Sequence, residues 1–124
     1  MENRKCDLEE RLIEFGVLIS DIADMLPTNR LWNYLAGQII RSGISPSLNY
    51  GEAQSAESRL DFVHKIKIVL KELRETFISQ KIIRRKSLIK DVAFLESALT
   101  ENNELISIFV KSIETAKGKA KRNE

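Results

Sequence analysis

The chain has 124 residues, 43% hydrophobic and 31% charged, with only 5 Gly and 2 Pro. That length makes one domain with a single real core, burying about two-thirds of the unfolded surface. Abundant Leu, Ile, Lys and Glu favour helix over sheet. The net charge of +2 is too small to define a partner by itself, so only the placement of charge is informative. Cys6 is the single cysteine, which excludes an intrachain disulfide and a thiolate metal cage and fits a reducing compartment. The opening Met1-Glu2-Asn3-Arg4-Lys5 is not that of a signal peptide, and no apolar run is long enough to span a membrane. A cytoplasmic protein without membrane association is expected.

In the first segment Leu8, Leu12, Phe15, Ile19, Ile22 and Leu26 step by four and three, the spacing of one helix face. Pro27 ends that helix, and Thr28 or Asn29 can cap the next. A second helix is expected from Arg30 to Glu52, with a kink or break near Gly43 and Pro46. From Leu31 its stripe reads Leu35, Gln38, Ser42, Ser45, Asn49 and Glu52, so a face that begins with leucines turns polar. Buried polar groups are costly unless each finds a partner. Gln38, Arg41, Ser45, Asn49 and Glu52 are therefore a candidate polar core or pocket. Arg41 would pair with Glu52 or Glu72, while Ser45 and Asn49 bond to neighbouring helices.

Ser55 is a candidate cap for a third helix that runs to Lys81, with Val63, Ile66, Leu70, Leu73 and Phe77 facing inward. The connection Lys81–Lys86 holds neither Gly nor Pro, but its cations suit a helix C-terminus. The fourth helix carries Leu88, Val92, Leu95, Leu99, Asn102, Ile106, Phe109 and Ile113 on one stripe. Asn102 is its single polar member, a device that sets register between helices. The reading is all-α: an antiparallel up-down-up-down four-helix bundle over 7–117, followed by a basic, disordered tail at 118–124.

Apolar residues also lie off the main stripes: Ile13 and Val17 on the first helix, Phe94, Leu105 and Ile108 on the fourth. Secondary apolar stripes mark interfaces, so these five are candidate oligomer contacts. Two basic groups are candidate nucleic-acid contacts: Lys81, Arg84, Arg85, Lys86 and Lys90, and Lys117, Lys119, Lys121 and Arg122. Aromatics do not interleave with them, which argues against stacking on single-stranded bases. Asp61 and His64 stand three apart, but a bundle di-iron site needs two histidines and four carboxylates, and the chain holds one histidine. No Gly-rich phosphate loop or nucleophile–base pairing is present. No catalytic residues, metal or cofactor are expected.

The stretch Gln38-Ile39-Ile40-Arg41-Ser42-Gly43, then Ser45-Pro46-Ser47-Leu48-Asn49-Tyr50-Gly51-Glu52-Ala53, continues with Ser58-Arg59-Leu60-Asp61-Phe62-Val63-His64-Lys65 and Leu70-Lys71-Glu72-Leu73-Arg74-Glu75-Thr76. With Leu105–Phe109 and Ser112–Lys117 it resembles the bacterial four-helix-bundle proteins of the 23S rRNA intervening-sequence family, S23-like, in the right order from Leu31 onward. The chain departs after Thr76, with Phe77-Ile78-Ser79 where relatives carry a bulky aromatic pair. The resemblance implies a compact bundle, assembly into a ring-like homopentamer, and no enzyme chemistry or cofactor. It is also similar to accessory proteins of diversity-generating retroelements, which implies RNA or DNA and a reverse transcriptase as partners. Two readings follow: a non-enzymatic oligomeric nucleic-acid-binding or polymerase accessory protein with weak sequence selectivity, or a protein–protein scaffold with no nucleic-acid role.

Overall fold

The computed structural model describes residues 4–122, with side chains described for 8–118. It contains α1 (Arg4–Asp24), α2 (Arg30–Gln54), α3 (Arg59–Arg85) and α4 (Val92–Arg122), with no strand among the described residues. Each helix packs on its neighbours in chain order and α4 returns to α1, while α1 and α3 do not touch. The result is an antiparallel up-down bundle in which α1 and α3 occupy opposite corners.

The helix ends follow local chemistry. Asn29 Oδ1 accepts from the Trp32 amide at 3.0 Å and caps α2. Ser58, not Ser55, caps α3 by accepting from the Asp61 amide at 3.0 Å. Ser55 instead closes α2, its amide donating to the Glu52 carbonyl. The α3 helix runs past Lys81 to Arg85 because nothing in that stretch breaks it. It stops at a left-handed residue without glycine: Ser87 has φ 53°. The Ser87 amide donates to Arg84 and the Leu88 amide to Ile83, the 5→2 and 6→1 bonds of a Schellman stop. Asp91 then accepts from the Phe94 amide at 3.0 Å, so α4 begins at Val92. Leu88 consequently belongs to the connection, and Val92 is exposed. The fourth helix continues to Arg122, past the boundary expected at 117. The segment Lys117-Gly118-Lys119-Ala120-Lys121-Arg122 holds no proline, and cations in a last turn favour helix.

The core is built from Leu12, Phe15, Ile19 and Ile22 of α1, Ile39 of α2, Ile66, Val69, Leu73 and Ile83 of α3, and Leu95, Ala98, Leu105 and Phe109 of α4, all at most 2% exposed. Burying each Leu, Ile or Phe contributes about 1.5–3 kcal/mol. Tyr50 lies edge-on to Phe109 with ring centroids 5.8 Å apart.

The face of α2 differs from the one its leucines indicate. The inward residues are Ile39, Gly43, Pro46, Tyr50 and Ala53, with Ser42, one position around from the expected stripe. Leu31 is 63% exposed and Glu52 points to solvent. Three of the true core positions are Gly, Pro and Ala, which carry little apolar signal. Their small size lets α1 approach closely: a Cβ on Gly43 would lie 2.6 Å from Ile19 Cγ2. The helix passes through Gly43 and Pro46 unbroken.

Candidate nucleic-acid interface

The antiparallel topology separates the two basic groups. Lys81, Arg84 and Arg85 lie on the last turns of α3, with Lys86 and Lys90 in the connection that follows. Lys117 lies toward the end of α4, at the opposite end of the bundle. The side chains of Lys119, Lys121 and Arg122 fall outside those described, as does that of Cys6. Within the first group Arg84 donates to Glu96 of α4 at 3.1 Å, and the Lys81 ammonium sits 5.2 Å above the Phe77 ring.

The structure adds cations that spacing alone did not single out. The exposed residues of α3 are Arg59, Leu60, His64, Lys67, Lys71, Arg74, Ile78, Ile82, Arg84 and Arg85, and none is acidic. Lys67, Lys71, Arg74, Lys81 and Arg85 step by four, three, seven and four along one face. They span about 27 Å at 1.5 Å per residue. The signal was present in the sequence, as a heptad of cations opposite the apolar heptad. The acids of α3 are turned aside. Glu72 is buried and Glu75 half-buried, and both accept from Arg41 of α2, at 2.9 and 2.6 Å.

That ion-pair cluster accounts for much of the expected polar pocket. Arg41 pairs with Glu72 as anticipated, whereas Glu52 pairs with Lys65 at 2.8 Å. Burial pushes the Glu72 carboxyl above its usual range, with the Glu75 carboxyl adding to the rise and Arg41 opposing it. The Arg41 hydrogen bond holds Glu75 below that range. Asn49 does not cross to another helix: its Nδ2 donates to the Ser45 carbonyl at 3.0 Å and lies 2.9 Å from Ser45 Oγ. The row is therefore satisfied largely within α2, because it flanks the core and does not enter it. Only Ser42 is buried, its hydroxyl 2.8 Å from that of Thr76. The five residues form a seam between α2 and α3, not an enclosed pocket.

The polar groups that do reach the core lie between α3 and α4. Asn102, fully buried, donates to the Leu73 carbonyl at 2.9 Å and accepts from Gln80 Nε2 at 2.9 Å. Its register role was legible as the single polar member of the stripe. Gln80 and Thr76 were missed because they lie among the exposed-looking polar residues of a charged helix.

Among the oligomer candidates, Ile13 and Val17 are exposed, at 42% and 50%. Leu105 is fully buried in the core and is no surface residue. It lies on the side of α4 that faces into the bundle once Val92, not Leu88, begins the helix. Phe94 and Ile108 are half-buried against the core. Asp61 and His64 lie near Leu60 and Lys67 on the outer surface of α3. Among the described residues no group of three or more His, Cys, Asp and Glu side chains is placed to hold a metal ion. No helix of the described residues is long and apolar enough to cross a membrane.

These features define a class: four-helix bundles with a polar register layer and charge segregated by helix. A solved structure of similar form comes from Bacteroides thetaiotaomicron, a protein of unknown function from the S23 ribosomal protein family. It is 30% identical, with a TM-score of 0.75, and the match covers 86% of this chain and 97% of that one. No family profile and no curated protein matches the chain. The chain belongs to the S23 ribosomal protein family.

Proposed function

We propose that the protein is a non-enzymatic nucleic-acid-binding bundle that holds the phosphate backbone against the outer face of α3. The observation that carries this reading is the single sign of that face: Lys67, Lys71, Arg74, Lys81 and Arg85 on one side, with every acid of α3 turned away. Lys86 and Lys90 prolong it beyond the helix end. A row of cations displaces counterions from phosphates and binds without reading bases, so sequence selectivity is weak. The family name, ribosomal, is in keeping with an RNA ligand.

Binding to a short structured RNA and to a DNA duplex, measured across salt concentrations, tests this. Affinity should fall steeply as salt rises, with a slope on duplex DNA that loses about 0.9 for each phosphate contact removed. The triple variant Lys67→Gln/Lys71→Gln/Arg74→Gln should flatten the slope while leaving helical content unchanged. Absence of binding at low salt would overturn the reading and leave the protein-scaffold role, which the exposed Ile13, Val17, Ile78 and Ile82 favour.

A further inference from the structure

The opposite corner of the bundle is the negative image of α3. The exposed residues of α1 from Leu8 onward are Glu9, Glu10, Ile13, Glu14, Val17, Asp21 and Asp24, with no cation among them. The other two helices carry both signs on their exposed faces: Arg41 and Glu52 on α2, Glu104 and Lys111 on α4. Single-sign faces therefore occur twice, with opposite sign, on the two helices that do not touch within the chain.

Each face also carries two bare apolar side chains one turn apart. On α1 these are Ile13 and Val17, at 42% and 50% exposure; on α3 they are Ile78 and Ile82, at 57% and 44%. Apolar centres with charged flanks are the usual anatomy of an interface. The order of the residues then matches in detail. Read forward, α1 runs Glu10, Ile13, Glu14, Val17, Asp21. Read backward, α3 runs Arg85, Ile82, Lys81, Ile78, Arg74. The steps are identical, three, one, three and four, so each pair of residue numbers shares one constant sum. A constant sum is the register of two antiparallel helices side by side. In that register every carboxylate meets a cation and both apolar pairs meet each other. The next position along sets Asp24 against Lys71.

We infer that α1 of one copy packs antiparallel against α3 of a second copy, with Ile13 and Val17 on Ile82 and Ile78 and flanking ion pairs that set the register. Because the two faces sit on opposite corners, one chain cannot satisfy its own. A contact of this kind is heterologous and leaves a free α1 and a free α3 at its ends. Successive copies are inverted, which differs from the pentameric ring implied by the family resemblance. Charge complementarity selects the partner and the register more than it adds affinity. The contact stands whether or not nucleic acid is bound.

Solution mass and cross-linking test it on the full chain without nucleic acid. The wild type should exceed the 14.2 kDa of one chain at low salt and high micromolar concentration. Glu14→Lys/Asp21→Lys and Arg74→Glu/Lys81→Glu should each reduce it to a monomer with unchanged helical content, and mixing the two variants should restore assembly. In a Cys6→Ser background, Ile13→Cys chains mixed with Ile82→Cys chains should form an interchain disulfide, as should Val17→Cys with Ile78→Cys. A pairing of Ile13→Cys with Ile78→Cys should not. A monomeric wild type, or an assembly of any size that ignores the charge reversals or cross-links in the wrong register, overturns the inference.

Discussion

The carboxamide of Asn102 shows how one residue fixes an arrangement. It is fully buried, and its two hydrogen bonds both reach α3: one to the Leu73 carbonyl, the other from Gln80 Nε2. Sliding α4 by one turn would move it away from both. The Gln80 amide depends on it more than the reverse, since Gln80 Oε1 has no hydrogen-bond partner among the described residues. Replacing Asn102 by Leu would strand a buried amide and should destabilise the fold by about 2–3 kcal/mol. Removing both partners, Gln80→Leu/Asn102→Leu, should recover most of that loss, because no polar group is then left without a partner. Urea denaturation of the two variants beside the wild type measures this. A double variant as unstable as the single one would mean that packing volume, not hydrogen bonding, sets the cost.

At the scale of the element, α1 was legible almost residue by residue, since Leu12, Phe15, Ile19, Ile22 and Leu26 are all buried as their spacing indicates. The α2 helix was legible as a helix but not in its facing. Its contact with α1 is made by backbone proximity and not by bulk, and hydrophobic periodicity does not record a glycine. The end of α3 was equally hidden, because a Schellman stop on Ser87 carries no proline or glycine to announce it. The same physics separates two glycines of α2. A Cβ on Gly43 would lie 2.6 Å from Ile19 Cγ2 and 2.8 Å from Ile19 Cβ, and Ile19 is fully buried. Gly43→Ala should therefore destabilise by about 1–3 kcal/mol through overpacking, more than offsetting the helix gain of about 1 kcal/mol. At Gly37 a Cβ would meet nothing within 4 Å. Gly37→Ala should stabilise by about 0.5–1 kcal/mol by restricting the unfolded chain. Opposite signs in chemical denaturation support the close α1–α2 approach; equal stabilisation by both would contradict it.

For the whole molecule, the number of helices and their antiparallel order could be read from four apolar stripes, and the family resemblance agreed. The distribution of surface charge could not, because it depends on which residues each helix turns outward. A net charge of +2 conceals a bundle with an acidic corner at α1 and a basic corner at α3. The acids of α3 are neutralised sideways by Arg41, so the outer face is left with cations and apolar side chains only. That separation gives the basic corner two anionic claimants: a phosphate backbone and the α1 face of another copy. Both rely on Arg74, Lys81 and Arg85, and the ion pairs of one exclude the other. A duplex of about 20 base pairs added at low salt should therefore lower the yield of the disulfide between Ile13→Cys and Ile82→Cys chains in the Cys6→Ser background. Raising salt should weaken duplex binding first, since its affinity is almost wholly electrostatic, whereas the apolar pairs of the α1–α3 contact persist when charges are screened. Disulfide yield should thus recover at moderate salt in the presence of duplex. A yield that stays high while the duplex is demonstrably bound would place the nucleic acid on another surface, with Lys86 and Lys90 at the end of the bundle the first to substitute.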